Sequence, residues 1–125
     1  MDENEISYQI RGCIFRVYNT LGPGLLESVY EAALIYEIEE LNLKVRSQVP
    51  IPVVYNEIKL DLGFRADIIV QDKVLIEIKS IENVAEVHHK QVLTYLKLTG
   101  LKLGLLVNFN TVNISDSIFR KVNKL

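Results

Sequence analysis

The sequence predicts an α/β fold, with a central mixed β-sheet and helices packed on its faces. Three observations carry that prediction. Two stretches of apolar residues at helical spacing open the 125-residue chain. Alternating and apolar segments then run from Leu43 to Lys79. One more helical stretch follows, ahead of the apolar run Leu101–Phe109. The predicted order is α-α-β-β-β-α-β within a single domain spanning 1–125, and Ser117–Asn123 adds one more strand or a short helix.

The first helix is expected from about Glu5 to Asn19, where Ile6, Ile10, Cys13, Ile14 and Val17 form a 3.6-period stripe. Glu3 and Glu5 at its start suit the helix dipole. Gly22-Pro23-Gly24 stops it. The second helix is expected from about Leu25 to Leu41, with Leu26, Tyr30, Ala33, Leu34 and Leu41 inward and Glu27 on the flank of that face. Next, Leu43, Val45, Ser47, Val49, Ile51, Val53 and Tyr55 alternate with Lys44, Arg46 and Gln48. The pattern puts the first set on one strand face. Pro50 and Pro52 cannot donate to a ladder, so this strand is bent, bulged or at an edge. Asn56-Glu57 reads as a turn, and a strand from Ile58 leads through Gly63 toward Asp67. A helix from about Asn83 to Thr99 ends at Gly100, a natural left-handed cap. The apolar strand after it is expected to lie parallel to an earlier one through a crossover connection.

The charged residues within Phe64–Lys79 are the most informative. Phe64–Val70 and Val74–Lys79 read as two strands joined by the loop Gln71-Asp72-Lys73. A three-residue loop pairs Val70 with Val74 and sets Asp67 directly opposite Glu77. Facing carboxylates repel, and a divalent cation between them reverses the sign. Glu77 and Lys79 share a strand face, so Lys79 is placed to hold a water or a phosphate oxygen. Together they outline a metal-dependent phosphodiester-cleaving site. The plainer reading makes them a solvated face, with Arg65 diagonal to Glu77 as an ion pair. Against it, the charges interrupt strands apolar on both faces, which are normally buried on both, and a buried charge needs a partner.

Composition bounds the function further. The net charge of −2 and the pI near 5.7 argue mildly against a nonspecific nucleic-acid binder. Lys44, Arg46, Lys59, Arg65 and Lys73 are candidates for a local basic patch or are scattered surface charge. A single cysteine, Cys13, excludes an internal disulfide and points to a reducing compartment. The acidic opening is unlike a signal peptide, and no apolar run reaches the roughly 20 residues of a membrane span, so a cytoplasmic location is expected. His88 and His89 point about 100° apart on a helix and do not share an ion easily. No Cys/His set for zinc, phosphate-cradling glycine loop or nucleophile triad is present.

These residues together resemble the PD-(D/E)XK nuclease superfamily and, more narrowly, the small bacterial and archaeal GxxExxY proteins. The naming motif stands as Gly24-Leu25-Leu26-Glu27-Ser28-Val29-Tyr30, and the superfamily signature as Asp67 with Glu77-Ile78-Lys79. A QxxxY helix motif like that of RecB-type nucleases is matched by Gln91–Tyr95. The resemblance covers about residues 6 to 122; Ala66 stands at the signature's proline position. It implies a restriction-endonuclease-like core and hydrolysis of a nucleic acid, DNA ahead of RNA, with Mg²⁺ or Mn²⁺. It implies Asp67 and Glu77 as metal ligands, with the Ile78 carbonyl as a third and Glu27 as a helix-borne acid acting directly or through water. Lys79 then takes an electrostatic role in the transition state. Gln91 orients Lys79 or a phosphate, Tyr30 and Tyr95 pack and hydrogen-bond, and His88 borders the site. Glu27 as a helix-dipole residue and Gln91 as an exposed helix residue are the plain alternatives. Two other functions compete: a catalytically inactive adaptor of the same fold, and an assembly role. The apolar content makes a homodimer an expectation.

Overall fold

The computed structural model describes residues 1–61 and 63–125. Helix α1 (Glu3–Leu21) starts where Asp2 accepts a hydrogen bond from the Glu5 amide at 2.8 Å, a reciprocal capping box. All five residues of its expected stripe are buried. Gly22, at φ 68°, closes it. Helix α2 (Glu27–Glu39) is shorter than its periodicity suggested. Leu26 lies ahead of it and is 75% exposed, and Leu41 lies beyond it at the surface. Neither faces inward as expected; Tyr30, Leu34 and Ile38 do.

Among the described residues seven strands follow: β1 (Val45–Pro50), β2 (Val53–Tyr55), β3 (Ile58–Leu60), β4 (Arg65–Val70), β5 (Val74–Lys79), β6 (Leu103–Asn108) and β7 (Ile118–Val122). Helix α3 (Glu86–Thr99) stands between β5 and β6. The main sheet has the order β1-β4-β5-β6-β7, antiparallel except for the β5–β6 pair. The expected parallel neighbour of β6 is therefore β5, and the segment after residue 117 is a strand. Proline-bearing β1 is an edge strand, where a missing donor costs no ladder bond.

The middle of the chain departs from the expected continuous strands. Asn56 and Glu57 both adopt positive φ, which closes a two-residue turn. That turn makes β2 and β3 a separate hairpin, so β3 does not run on into β4. The second departure is at Gln48, whose φ is 49° inside β1. Leu43 and Val45 pack against the core shared with α1 and α2, whereas Val49 and Ile51 pack against the core under α3. The alternation therefore changes face at Gln48, while the register with β4 is kept on both sides.

Two apolar cores result, one on each face of the sheet. The α1/α2 side holds Ile68, Val70, Ile76, Ile78 and Leu105, and the α3 side holds Ala66, Ile69, Leu75 and Leu106. Gly104 accommodates α3 on the second face: a Cβ there would lie 2.9 Å from Val92 Cγ1. β5 and β6 are covered on both faces, which accounts for their nearly unbroken apolar sequence.

Candidate active site

Strands β4 and β5 pair from the turn as far as Ile68 and Ile76 and then part. β5 continues alone along β6, with Glu77 opposite Leu106 and Lys79 opposite Asn108. Asp67 and Glu77 stand at the opening, in the facing register that the loop length predicts. Their carboxylates replace the missing ladder: Glu77 Oε1 accepts from the Asp67 amide at 3.0 Å, and Asp67 Oδ2 accepts from the Ile78 amide at 2.8 Å. Each acid is thereby oriented by the backbone of the opposite strand.

The electrostatics follow from burial. Glu77 is only 4% exposed. Burial, reinforced by the charge of Asp67, pushes its pKa up to about 8. Asp67 is half-buried and also raised, again chiefly by desolvation. Lys79, half-buried, lowers both, yet forms no ion pair within 4.0 Å among the described residues. Burial, with Asp67 opposite and no ion pair among the described residues, thus favours the protonated form of Glu77.

The Gly24–Tyr30 segment fixes the mouth of this opening. Gly24 takes φ 94°, and the Tyr30 hydroxyl donates to the Gly22 carbonyl and accepts from the Leu25 amide. The Tyr30 ring is fully buried and stacked on Phe109 at 4.4 Å. Ser80, the residue after Lys79, donates its amide to Glu27 Oε2 at 3.1 Å and its hydroxyl to the Leu25 carbonyl. Glu27 thus staples the start of α2 to the end of β5, close enough for its charge to raise Asp67.

Two residues of the site escaped the sequence reading. Glu31, one turn after Glu27, accepts from Gln48 Nε2 at 2.8 Å, and the same nitrogen lies 3.3 Å from Asp67 Oδ1. Burial raises the Glu31 pKa, and the charge of Asp67 adds to it. Gln48 thus bridges two acids with an uncharged amide, from the one point where β1 turns left-handed. The Glu27–Glu31 spacing was a visible signal of two acids on one helix face. The Gln48 kink had none, because a polar residue fits either face of an edge strand.

On the other face, Gln91 Nε2 lies 3.1 Å from the Tyr95 hydroxyl, so it holds that residue rather than Lys79. Tyr95 is buried, and its pKa is raised by desolvation, then by Glu77 and Asp67. His88 Nδ1 accepts from the Ala85 amide at 2.9 Å and caps α3, which moves the helix start from the expected Asn83 to Glu86. Arg65 is exposed and approaches the Gln48 carbonyl at 3.4 Å; it makes no ion pair with Glu77 among the described residues. Of the other basic candidates, Lys44 and Arg46 are engaged with Asp72, Lys73 bonds the Met1 carbonyl, and Lys59 is exposed.

The donors are oxygens only, which suits a hard cation and not zinc. Among the described residues no three His, Cys, Asp or Glu side chains converge as a metal cage. One or two carboxylates, with waters and substrate phosphate, are the usual protein share of a Mg²⁺ site. Asp67 and Glu77 meet that requirement, and a cation there would relieve a buried acid that has no positive partner in contact.

A family model described as the PD-(D/E)XK nuclease superfamily matches residues 4–121. Neither the curated proteins nor the solved structures give a significant match. No helix among the described residues is long and apolar enough to cross a membrane.

Proposed function

Because the chain belongs to the PD-(D/E)XK nuclease superfamily, whose nucleases generally use divalent metal ions, we propose that it hydrolyses nucleic-acid phosphodiester bonds at Asp67, Glu77 and Lys79 with Mg²⁺ or Mn²⁺. The observation that carries this reading is the opened strand pair. Two oriented acids face each other across it, one of them buried and without a cation in contact. A bound Mg²⁺ or Mn²⁺ would polarise the phosphate and lower the pKa of a bound water.

The chain's own residues have separable roles. Asp67 and Glu77 hold the cation, with the Ile78 carbonyl as a further oxygen donor. Lys79, free of ion pairs among the described residues, faces the phosphate and stabilises the charge that builds on its oxygens. Glu27 supplies a further acid at the mouth, and Gln48 keeps Glu31 and Asp67 apposed without adding charge. Gln91 and Tyr95 wall the site on the α3 side, with Arg65 exposed at its edge. DNA ahead of RNA, a homodimer and a cytoplasmic setting belong to the same proposal.

A binding-only adaptor of the same fold is the second reading, and the exposed apolar groove beside α3 gives it a surface to bind with. Incubation of the full chain with Mn²⁺ or Mg²⁺ and single- or double-stranded DNA and RNA separates the two. Metal-dependent cleavage lost in Glu77→Ala and in Lys79→Ala is expected. Equal cleavage by the variants refutes the assignment, and metal-responsive binding without cleavage selects the adaptor.

A further inference from the structure

A groove between α3 and the β2–β3 hairpin runs beside the carboxylate pair without being needed to hold it. It encloses about 430 Å³, within the range of about 300–1,000 Å³ of small-ligand sites. Val53 and Phe64 form one wall; Val87, Gln91, Tyr95 and Leu98 form the other. The four α3 residues recur at i, i+4, i+8 and i+11, a continuous helix face. Phe64 is 43% exposed and Val87 65%, so the fold leaves this surface facing solvent. The Phe64 and Tyr95 rings lie 6.4 Å apart at 56°.

The groove adjoins the strands that carry the acids through its Tyr95 wall. Tyr95 packs in one cluster with Ala66 and Leu75, the first adjacent to Asp67 and the second two residues before Glu77 on the same strand face. Phe64 precedes Asp67 by three residues, about 10 Å of extended chain. Lys90 stands at the groove and makes no ion pair among the described residues.

Resting on the nuclease reading above, we infer that this groove receives one unpaired nucleobase adjacent to the scissile phosphate, so that the substrate is single-stranded nucleic acid. The phosphate lies at Asp67, Glu77 and Lys79, and the base lays its face on the exposed Phe64 ring, which packs beside the buried Tyr95. The Gln91 amide and the Thr94 hydroxyl meet its polar edge, and Lys90 faces the next phosphate. A duplex covers its base faces by stacking, so only an unpaired base presents the surface this groove fits.

The chain contains no tryptophan, so Phe64→Trp places a single indole reporter in the groove. In buffer with Ca²⁺ replacing the catalytic cation, a single-stranded oligothymidine is expected to quench that indole. An abasic strand of equal length and charge should not quench it and should bind the unsubstituted chain about tenfold more weakly, the scale of one stacked base. Phe64→Ala should bring the base-bearing strand down to the affinity of the abasic one. Equal affinity for the two strands overturns the inference. So does an indole shift that grows with protein concentration alone together with a doubled mass, which makes the occupant a second copy. Cleavage is followed separately. Base-dependent binding with no cleavage of any nucleic acid refutes the nuclease reading alone, and duplex cleavage without base-dependent binding refutes the groove alone.

Discussion

Asp67 and Asp72 lie at opposite ends of strand pair β4–β5, five residues apart, and the fold treats them in opposite ways. At the closed end the turn is fully bonded. Gln71 exchanges hydrogen bonds with the Lys44 backbone, and Asp72 meets Lys44 and Arg46, each at 2.9 Å. Lys44, aided by Arg46, lowers the Asp72 pKa. At the open end the acids have backbone amides and the Gln48 amide for partners and no ion pair among the described residues, and burial raises both. An exposed acid already matched by cations is finished structure. A buried acid facing a half-buried one, both short of positive charge, is the arrangement that the proposed cation site calls for.

The two ends of the strand pair should differ most in activity. Glu77→Ala and Lys79→Ala should each lower cleavage at least about a hundredfold, the usual effect of removing a transition-state charge partner, with an unchanged circular dichroism spectrum. Asp72→Asn, by contrast, should leave cleavage intact.

Stability against pH is the next largest effect. The folded pKa of Glu77 lies above its unfolded value of 4.5, so the folded state binds the extra proton. Stability of the metal-free chain should therefore fall as pH rises from about 4.5 to about 8, and level off above. Glu77→Gln keeps the acceptor for the Asp67 amide and removes the charge. It should melt higher than the parent in EDTA, by a margin that grows across that window to a few kcal/mol, or several degrees in Tm. A variant that melts lower at pH 8 would show that the two acids are not in conflict.

Gln48 gives an intermediate effect. Gln48→Val forces a β-branched residue to φ 49° and should cost about 1–3 kcal/mol in denaturant unfolding. Gln48→Gly tolerates that φ and should keep stability closer to the parent, yet lose the bridge between Glu31 and Asp67 and with it part of the metal affinity. Equal metal affinity in Gln48→Gly would reduce Gln48 to a backbone role. The smallest effect belongs to Asp72→Asn, whose Tm should match the parent because the acid is exposed and its pairs are solvent-screened.

The site was legible in the sequence where it depends on local spacing. A three-residue loop set the Asp67–Glu77 register, and the i, i+2 rule put Lys79 beside Glu77. Gly24 through Tyr30 was visible as a motif, although only the structure explains it, as the loop, cap and Ser80 staple that hold Glu27. What was not legible depends on contacts between distant segments. The face change at Gln48 matters only because β4 and α2 bring Asp67 and Glu31 to it. Asn56-Glu57 reads as a turn from sequence, but its two positive-φ residues make it tight enough to set β2 and β3 apart from the main sheet. Leu26 fits the core by period alone, but the glycine-bearing loop before α2 carries it to the surface.

Calorimetric titration of Mn²⁺ into the full chain at pH 7, in two buffers of different ionisation heat, decides whether Asp67 and Glu77 hold a cation. The parent should bind Mn²⁺ and release close to one proton, the one Glu77 holds, and Glu77→Gln should bind far more weakly without that release. Binding of equal strength in the variant, or binding by the parent with no proton released, would contradict a cation site built on the opposed Asp67 and Glu77.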